Sequence, residues 1–205
     1  MKQEISVTRA LAEVKSLRDR IQRATSQAFI THTVGGKHAN GAPVEQVAAT
    51  IKAQLQSVKD LMKRRAELKA AIVTSNAVTQ VVVAGQTMTV AEAIERKSSI
   101  ELEKGLLATL KQQRAQAISQ VERINQTVSQ RMDQLVQTAV GKDRKVDDVE
   151  IAAITGPFEK ANKAELLDPS NLEDVISKIE ESVNSFELDV DFALNEVNAV
   201  TKITV

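Results

Sequence analysis

The chain has 205 residues, with 27 Lys plus Arg balanced by 27 Asp plus Glu, no cysteine, and four Phe with neither Trp nor Tyr. Lack of cysteine excludes disulfides and thiolate metal sites, and no apolar run approaches the roughly 20 residues that span a bilayer. The core must come from Ile, Leu, Val, Ala and Met, which suits helix seams better than a β-sandwich filled by aromatic pairs. The first ten residues lack the hydrophobic stretch of a signal peptide, so synthesis in the cytoplasm without signal-peptide secretion is expected.

In chain order, residues 3–7 read as a short strand. Val7, Leu11, Val14, Leu17, Ile21, Ala24 and Ala28 then recur every three or four positions, the stripe of an amphipathic helix that ends before a loop from Gly35 to Gly41. Pro43 is pre-organised for a first helical turn, and Val44, Val47, Ile51, Leu55, Val58, Met62, Leu68 and Ile72 continue the stripe, with Arg65 as one charged interruption. Two such helices on a short glycine-rich loop must fold back antiparallel to hide their stripes.

At Asn76 the pattern changes. Thr79, Val81 and Val83 alternate with Gln80 and Val82, Ala84-Gly85-Gln86 makes a turn, and Thr87-Met88-Thr89 returns, so strands are expected at 78–84 and 86–90. Thr89 and Glu92 have capping-box spacing, in which hydroxyl and carboxylate satisfy the first free amides of a helix. Ile94, Ile100, Leu107, Leu110, Ala117, Val121, Ile124, Val128 and Leu135 mark a long helix that Gly105 weakens without breaking. From Val140 to Gly156 charge is dense and the period fades, which predicts a loop or short helix. Asp168-Pro169-Ser170-Asn171 starts a returning helix with Leu172, Val175, Ile176, Ile179, Val183, Phe186, Val190 and Leu194 as its stripe, followed by a strand at 200–205.

The chain also repeats itself. Glu67 to Val83 reads ELKAAIVTSNAVTQVVV and Asp189 to Val205 reads DVDFALNEVNAVTKITV, sharing Asn-Ala-Val-Thr and aligning Val81 and Val83 with Ile203 and Val205. A fainter echo links Ile5 to Leu11 with Met88 to Ile94, each a strand end passing through a hydroxyl cap into a helix. Asn76 and Asn198 suit a helix stop. The expected fold is therefore mainly α: two tandem antiparallel, coiled-coil-like helical hairpins joined by one small four-stranded β-sheet, β-α-α-β repeated twice. The repeats cover 1–84 and 85–205, the second longer with a tip insertion near 139–170, and the whole forms one compact unit.

The stretch SNAVTQVVVAGQTMTVAEAIERKSSIELEKGLL resembles the central segment of septicolysin-like helical-hairpin proteins through Asn76, Thr79, Gly85, Thr87, Ala91, Glu92 and Arg96. The ending ALNEVNAVTKITV is similar to carboxyl termini of uncharacterised bacteriophage structural proteins. The first resemblance implies a helical hairpin with a toxin-like association, the second a virion component. The matching residues describe turns and caps, and neither resemblance implies a catalytic residue or a cofactor.

Chemistry is sparse. His32 and His38 flank a Gly-Gly pair without the further ligands of a structural zinc, Gly35-Gly36-Lys37-His38 lacks phosphate-loop spacing, and Asp143, Asp147, Asp148 and Glu150 lack the Gly and Glu of a calcium loop. No Ser or Thr has an evident base. No catalytic residue, metal or cofactor is assigned, and the expectation is a protein that is not an enzyme. Residues 1–142 hold 21 Lys plus Arg against 12 Asp plus Glu, and residues 143–205 hold 6 against 15, so balances of +9 and −9 favour docking within a chain or between chains. Without aromatic or Arg-rich motifs, neither nucleic acid nor membrane is expected as a partner. The expected role is a structural or assembly subunit, plausible for a bacteriophage head, neck or tail, acting as a homo-oligomer or with neighbouring virion proteins. A free-standing toxin-like or membrane-interacting hairpin is the alternative. Val121, Ile124, Val128 and Leu135 are the candidate interaction seam, because the long helix outruns the returning one, although residues 158–167 offer some cover.

Overall fold

A computed structural model describes residues 3–140 and 147–205. It is mainly helical, with five helices and short two-stranded antiparallel ribbons among the described residues. The order is β1 (Glu4–Ser6), α1 (Val7–Thr25), β2 (His38–Ala39), β3 (Ala42–Pro43), α2 (Val44–Val78), β4 (Gln80–Val83), β5 (Gln86–Thr89), α3 (Val90–Val140), α4 (Asp148–Asn162), α5 (Leu172–Val200) and β6 (Lys202–Thr204).

Local chemistry explains the boundaries. Ser6 is extended and its hydroxyl accepts from the Arg9 N–H at 3.3 Å, so β1 passes directly into α1. α1 stops at Thr25, short of the expected Ala28, where the Thr25 and Ser26 hydroxyls donate to the Gln22 and Arg23 carbonyls at 3.0 and 2.7 Å and compete with further helix. The expected plain loop at 35–41 contains a ribbon instead. β2 and β3 pair across Asn40 and Gly41, whose φ of 49° and 79° are those an Asn-Gly hairpin turn needs. Pro43 stands just before the first helical residue. Asn76 and Asn198 do not stop their helices, as the sequence suggested; α2 runs on to Val78 and α5 to Val200. Thr79 and Thr201 are the turning points, each N–H still reaching one turn back, to the Ser75 and Val197 carbonyls, at 2.9 Å. A β-branched residue suits the extended backbone that follows.

The four strands expected to share one sheet form two separate ribbons, β1 with β6 and β4 with β5. α2 touches both β5 and β6, and packing on a helix gives each ribbon the support that lateral pairing was expected to supply. The ribbons match residue for residue under the sequence alignment. Ile5 faces Ile203 as Met88 faces Val81, Ser6 faces Lys202 as Thr89 faces Gln80, and Glu4 faces Thr204 as Thr87 faces Val82. Gln3 and Val205 exchange backbone bonds at 2.8 and 2.9 Å where Gln86 and Val83 pair. Val7 N–H donates to the Thr201 carbonyl, and Val90 N–H to the Thr79 carbonyl, both at 2.9 Å.

Packing gathers the chain into two compact units, Met1–Ser99 with Ser185–Val205, and Ile100–Asn184. The sequence-repeat boundary near residue 84 falls inside the first. That unit holds the largest fully buried side chains of the described residues, Phe186, Leu68, Val7, Val83 and Val90, so its core lies where strands meet helices. Ile5, Val7, Ala10, Leu17, Leu68, Ile72 and Ile203 form one cluster within it. Along α1 and α2, Val7 and Ala10 share that cluster with Leu68 and Ile72, while Glu13 pairs with Arg64 at 2.9 Å further from the strands. The two helices therefore run in opposite directions.

In the second unit, α3 continues without a break through Gly105. Its Lys111 and Arg114 pair with Glu180 and Glu173 of α5 at 2.7 and 2.5 Å. These pairs join carboxylates of the acidic part to cations of the basic part within the second unit. α4 occupies much of the span expected as loop or short helix. Its cap is Asp147, whose carboxylate accepts from the Glu150 N–H at 2.8 Å. Asp143 lies outside the described residues.

Candidate functional site

All four seam residues lie on α3 in the second unit, but they differ in exposure. Val128 is buried at 7%, Val121 is half-buried, and Ile124 and Leu135 are exposed at 45% and 38%. The segment after α4 is tied to this stretch of α3. The Asn125 side-chain amide donates to the Ala164 carbonyl at 2.9 Å, and its oxygen accepts the Ala164 N–H at 2.8 Å, which fixes that segment across α3 next to Ile124. Phe158 lines an open groove with Leu135, Arg131, Gln134 and Thr138. Of the four, Ile124 is the most open.

A second arrangement, in the first unit, was missed by sequence reasoning. The Arg96 guanidinium lies 4.5 Å from the ring centroid of the buried Phe186. Counting on from the two aligned segments, Arg96 takes the place of Glu13 and Phe186 that of Arg64. One matched position thus holds an ion pair and the other a cation on an aromatic face. The alignment carried past the helix starts would have found it. Asp189 accepts the Ala84 N–H at 2.6 Å and steadies the turn between β4 and β5. Lys97 of α3 pairs with Asp191 of α5.

The Thr89 cap is complete. Its N–H donates to the Glu92 carboxylate at 2.6 Å, its hydroxyl does so at 2.9 Å, and the Glu92 N–H returns a bond to that hydroxyl at 3.1 Å. The Thr89 backbone N–H first, and its hydroxyl second, hold the Glu92 carboxyl below its usual range.

His32 and His38 are both exposed, His38 within β2. On the outer face of α5, Leu188, Phe192 and Val200 are exposed at 75%, 72% and 76%, with Asp191 and Glu196 beside them. Val73 and Val78 are exposed on α2, Val78 at the position aligned with Val200. No helix of the described residues is long and apolar enough to cross a membrane. The chain matches no family model, no curated protein and no solved structure.

Proposed function

We propose that this protein is a non-enzymatic structural or assembly subunit, of the kind a bacteriophage head, neck or tail uses, built as two β-α-α-β repeats over 1–84 and 85–205. Exposed apolar side chains carry the reading: Ile124 on α3 and Leu188 and Phe192 on α5 lie open beside charged neighbours, as at a surface that meets another protein. The similarity of ALNEVNAVTKITV to phage structural carboxyl termini points the same way, and the partners are further copies of the chain or neighbouring virion proteins.

The rival is a toxin-like, membrane-interacting hairpin, and the septicolysin-like resemblance of residues 75–107 favours it. A membrane-surface helix needs a broad apolar face rimmed by basic residues. Carboxylates flank Leu188 and Phe192, which fits a protein partner better. Ile124→Glu separates the readings. The substitution should lower the mass of the assembly in sedimentation while the helical circular dichroism stays constant, and binding to anionic vesicles should be negligible before and after it. Strong vesicle binding by the unsubstituted chain would overturn the proposal in favour of the rival.

A further inference from the structure

Apart from the local β2–β3 ribbon, neither half of the chain pairs its strands with one another. Residues 1–84 supply β1 and β4, residues 85–205 supply β5 and β6, and each ribbon takes one strand from each half. The ribbons use the same register, down to the Val7 to Thr201 and Val90 to Thr79 hydrogen bonds of equal length. An opened half would leave two strands of unpaired backbone groups and uncover Ile5, Val81, Val83 or Ile203, all buried in the closed chain. Each half must close on a complementary half, and nothing in the pairing distinguishes the half on the same chain from one on another.

The turn that joins the halves is short and strained. Ala84 and Gly85 both have positive φ, 49° and 76°. Gly tolerates this geometry, whereas the Ala Cβ crowds the following carbonyl oxygen and makes it unfavourable. Opening the turn releases that strain, and short strained hinges favour exchange of identical elements between copies.

We infer that the partner of this chain is a second copy with which it exchanges residues 85–205, opening at Ala84–Gly85 so that β1 of one copy pairs with β6 of the other, and β4 with β5. Two copies exchanging mutually close a dimer, and exchange that passes from copy to copy builds an open chain. The inference rests on strand pairing and not on the assembly role, so either can fail without the other.

The absence of cysteine gives a clean test. Glu4 and Thr204 face each other across β1 and β6 and both are exposed. One full-length chain carries Glu4→Cys and the other Thr204→Cys. The two are unfolded together, refolded over a range of concentrations and oxidised. In the closed monomer neither thiol has a partner, and in the exchanged dimer the two lie opposite each other. Mixed-disulfide dimer should form and, while it is the minor species, its fraction should rise about tenfold per tenfold increase in concentration, as mass action requires. Deleting Ala84 and Gly85 from both chains should make exchange predominate at every concentration. Should the deletion prevent folding, the intact-turn pair still decides. Absence of mixed disulfide from that pair at every concentration overturns the inference, even if the chain assembles through other surfaces.

Discussion

Ile203→Ala is a demanding perturbation, because it tests whether the strand that the repeat aligns with Val81 belongs to the core. The structure places its side chain, 7% exposed, in the cluster with Ile5, Val7, Leu68 and Ile72, directly opposite Ile5. Truncation removes most of a buried aliphatic side chain and leaves a void between ribbon and helix, so the loss should be about 2–4 kcal/mol. For a chain of this length that corresponds to a fall in melting temperature of roughly 5–15 °C. Thr204→Ala is the control, since its side chain is exposed on the other face of the same strand and should change stability by less than about 0.5 kcal/mol. Urea denaturation followed by far-ultraviolet circular dichroism reads both. Deleting residues 200–205 should cost more, and what it uncovers is Ile5, not the Val81 or Val83 that one shared sheet would have placed there. Equal midpoints for Ile203→Ala and Thr204→Ala would refute the placement of β6 in the core.

Three further substitutions probe local chemistry. Ala84→Asn should stabilise the chain by about 1 kcal/mol, because Asn-Gly is the preferred pair for a turn with two positive φ values; a lower unfolding midpoint would contradict this. Gly105→Ala adds a methyl group into open space inside α3 and should raise stability by about 0.5–1 kcal/mol in the same assay. Glu92 tests the cap through pH: its folded pKa is depressed, so its contribution is present above its unfolded pKa and is lost as pH falls through the lower folded value. Stability against pH should therefore decline less steeply in acid for Glu92→Gln than for the unsubstituted chain.

Helix phase and capping were legible in the sequence because each depends on residues a few positions apart. Thr89 and Glu92 make the reciprocal cap their spacing announces, and the Ala84-Gly85 turn joins the two strands expected on either side of it. The Asn-Gly ribbon at 40–41 carried a signal that the run of glycines obscured. Asn76 and Asn198 misled because a residue that tolerates a helix stop is also compatible with two more helical residues when Thr supplies the extended turn beyond it. Strand pairing depends on long-range packing that no local pattern encodes. The repeated Asn-Ala-Val-Thr disclosed the strands, but only the packing of α2 on both ribbons decided that they pair two by two. Along the proposed seam Ile124 is exposed and Val128 buried, and the Asn125 to Ala164 bonds on the same stretch of α3 join residues far apart in sequence, beyond what a stripe count can show.

The most direct test of the assembly role is the mass of the unsubstituted full-length chain, measured by light scattering from micromolar to several hundred micromolar at low and high salt. The account expects masses at multiples of 22.3 kDa, rising with concentration and responding to salt where charged faces set the contact. A constant 22.3 kDa at every concentration and salt level would contradict self-assembly as the protein's function.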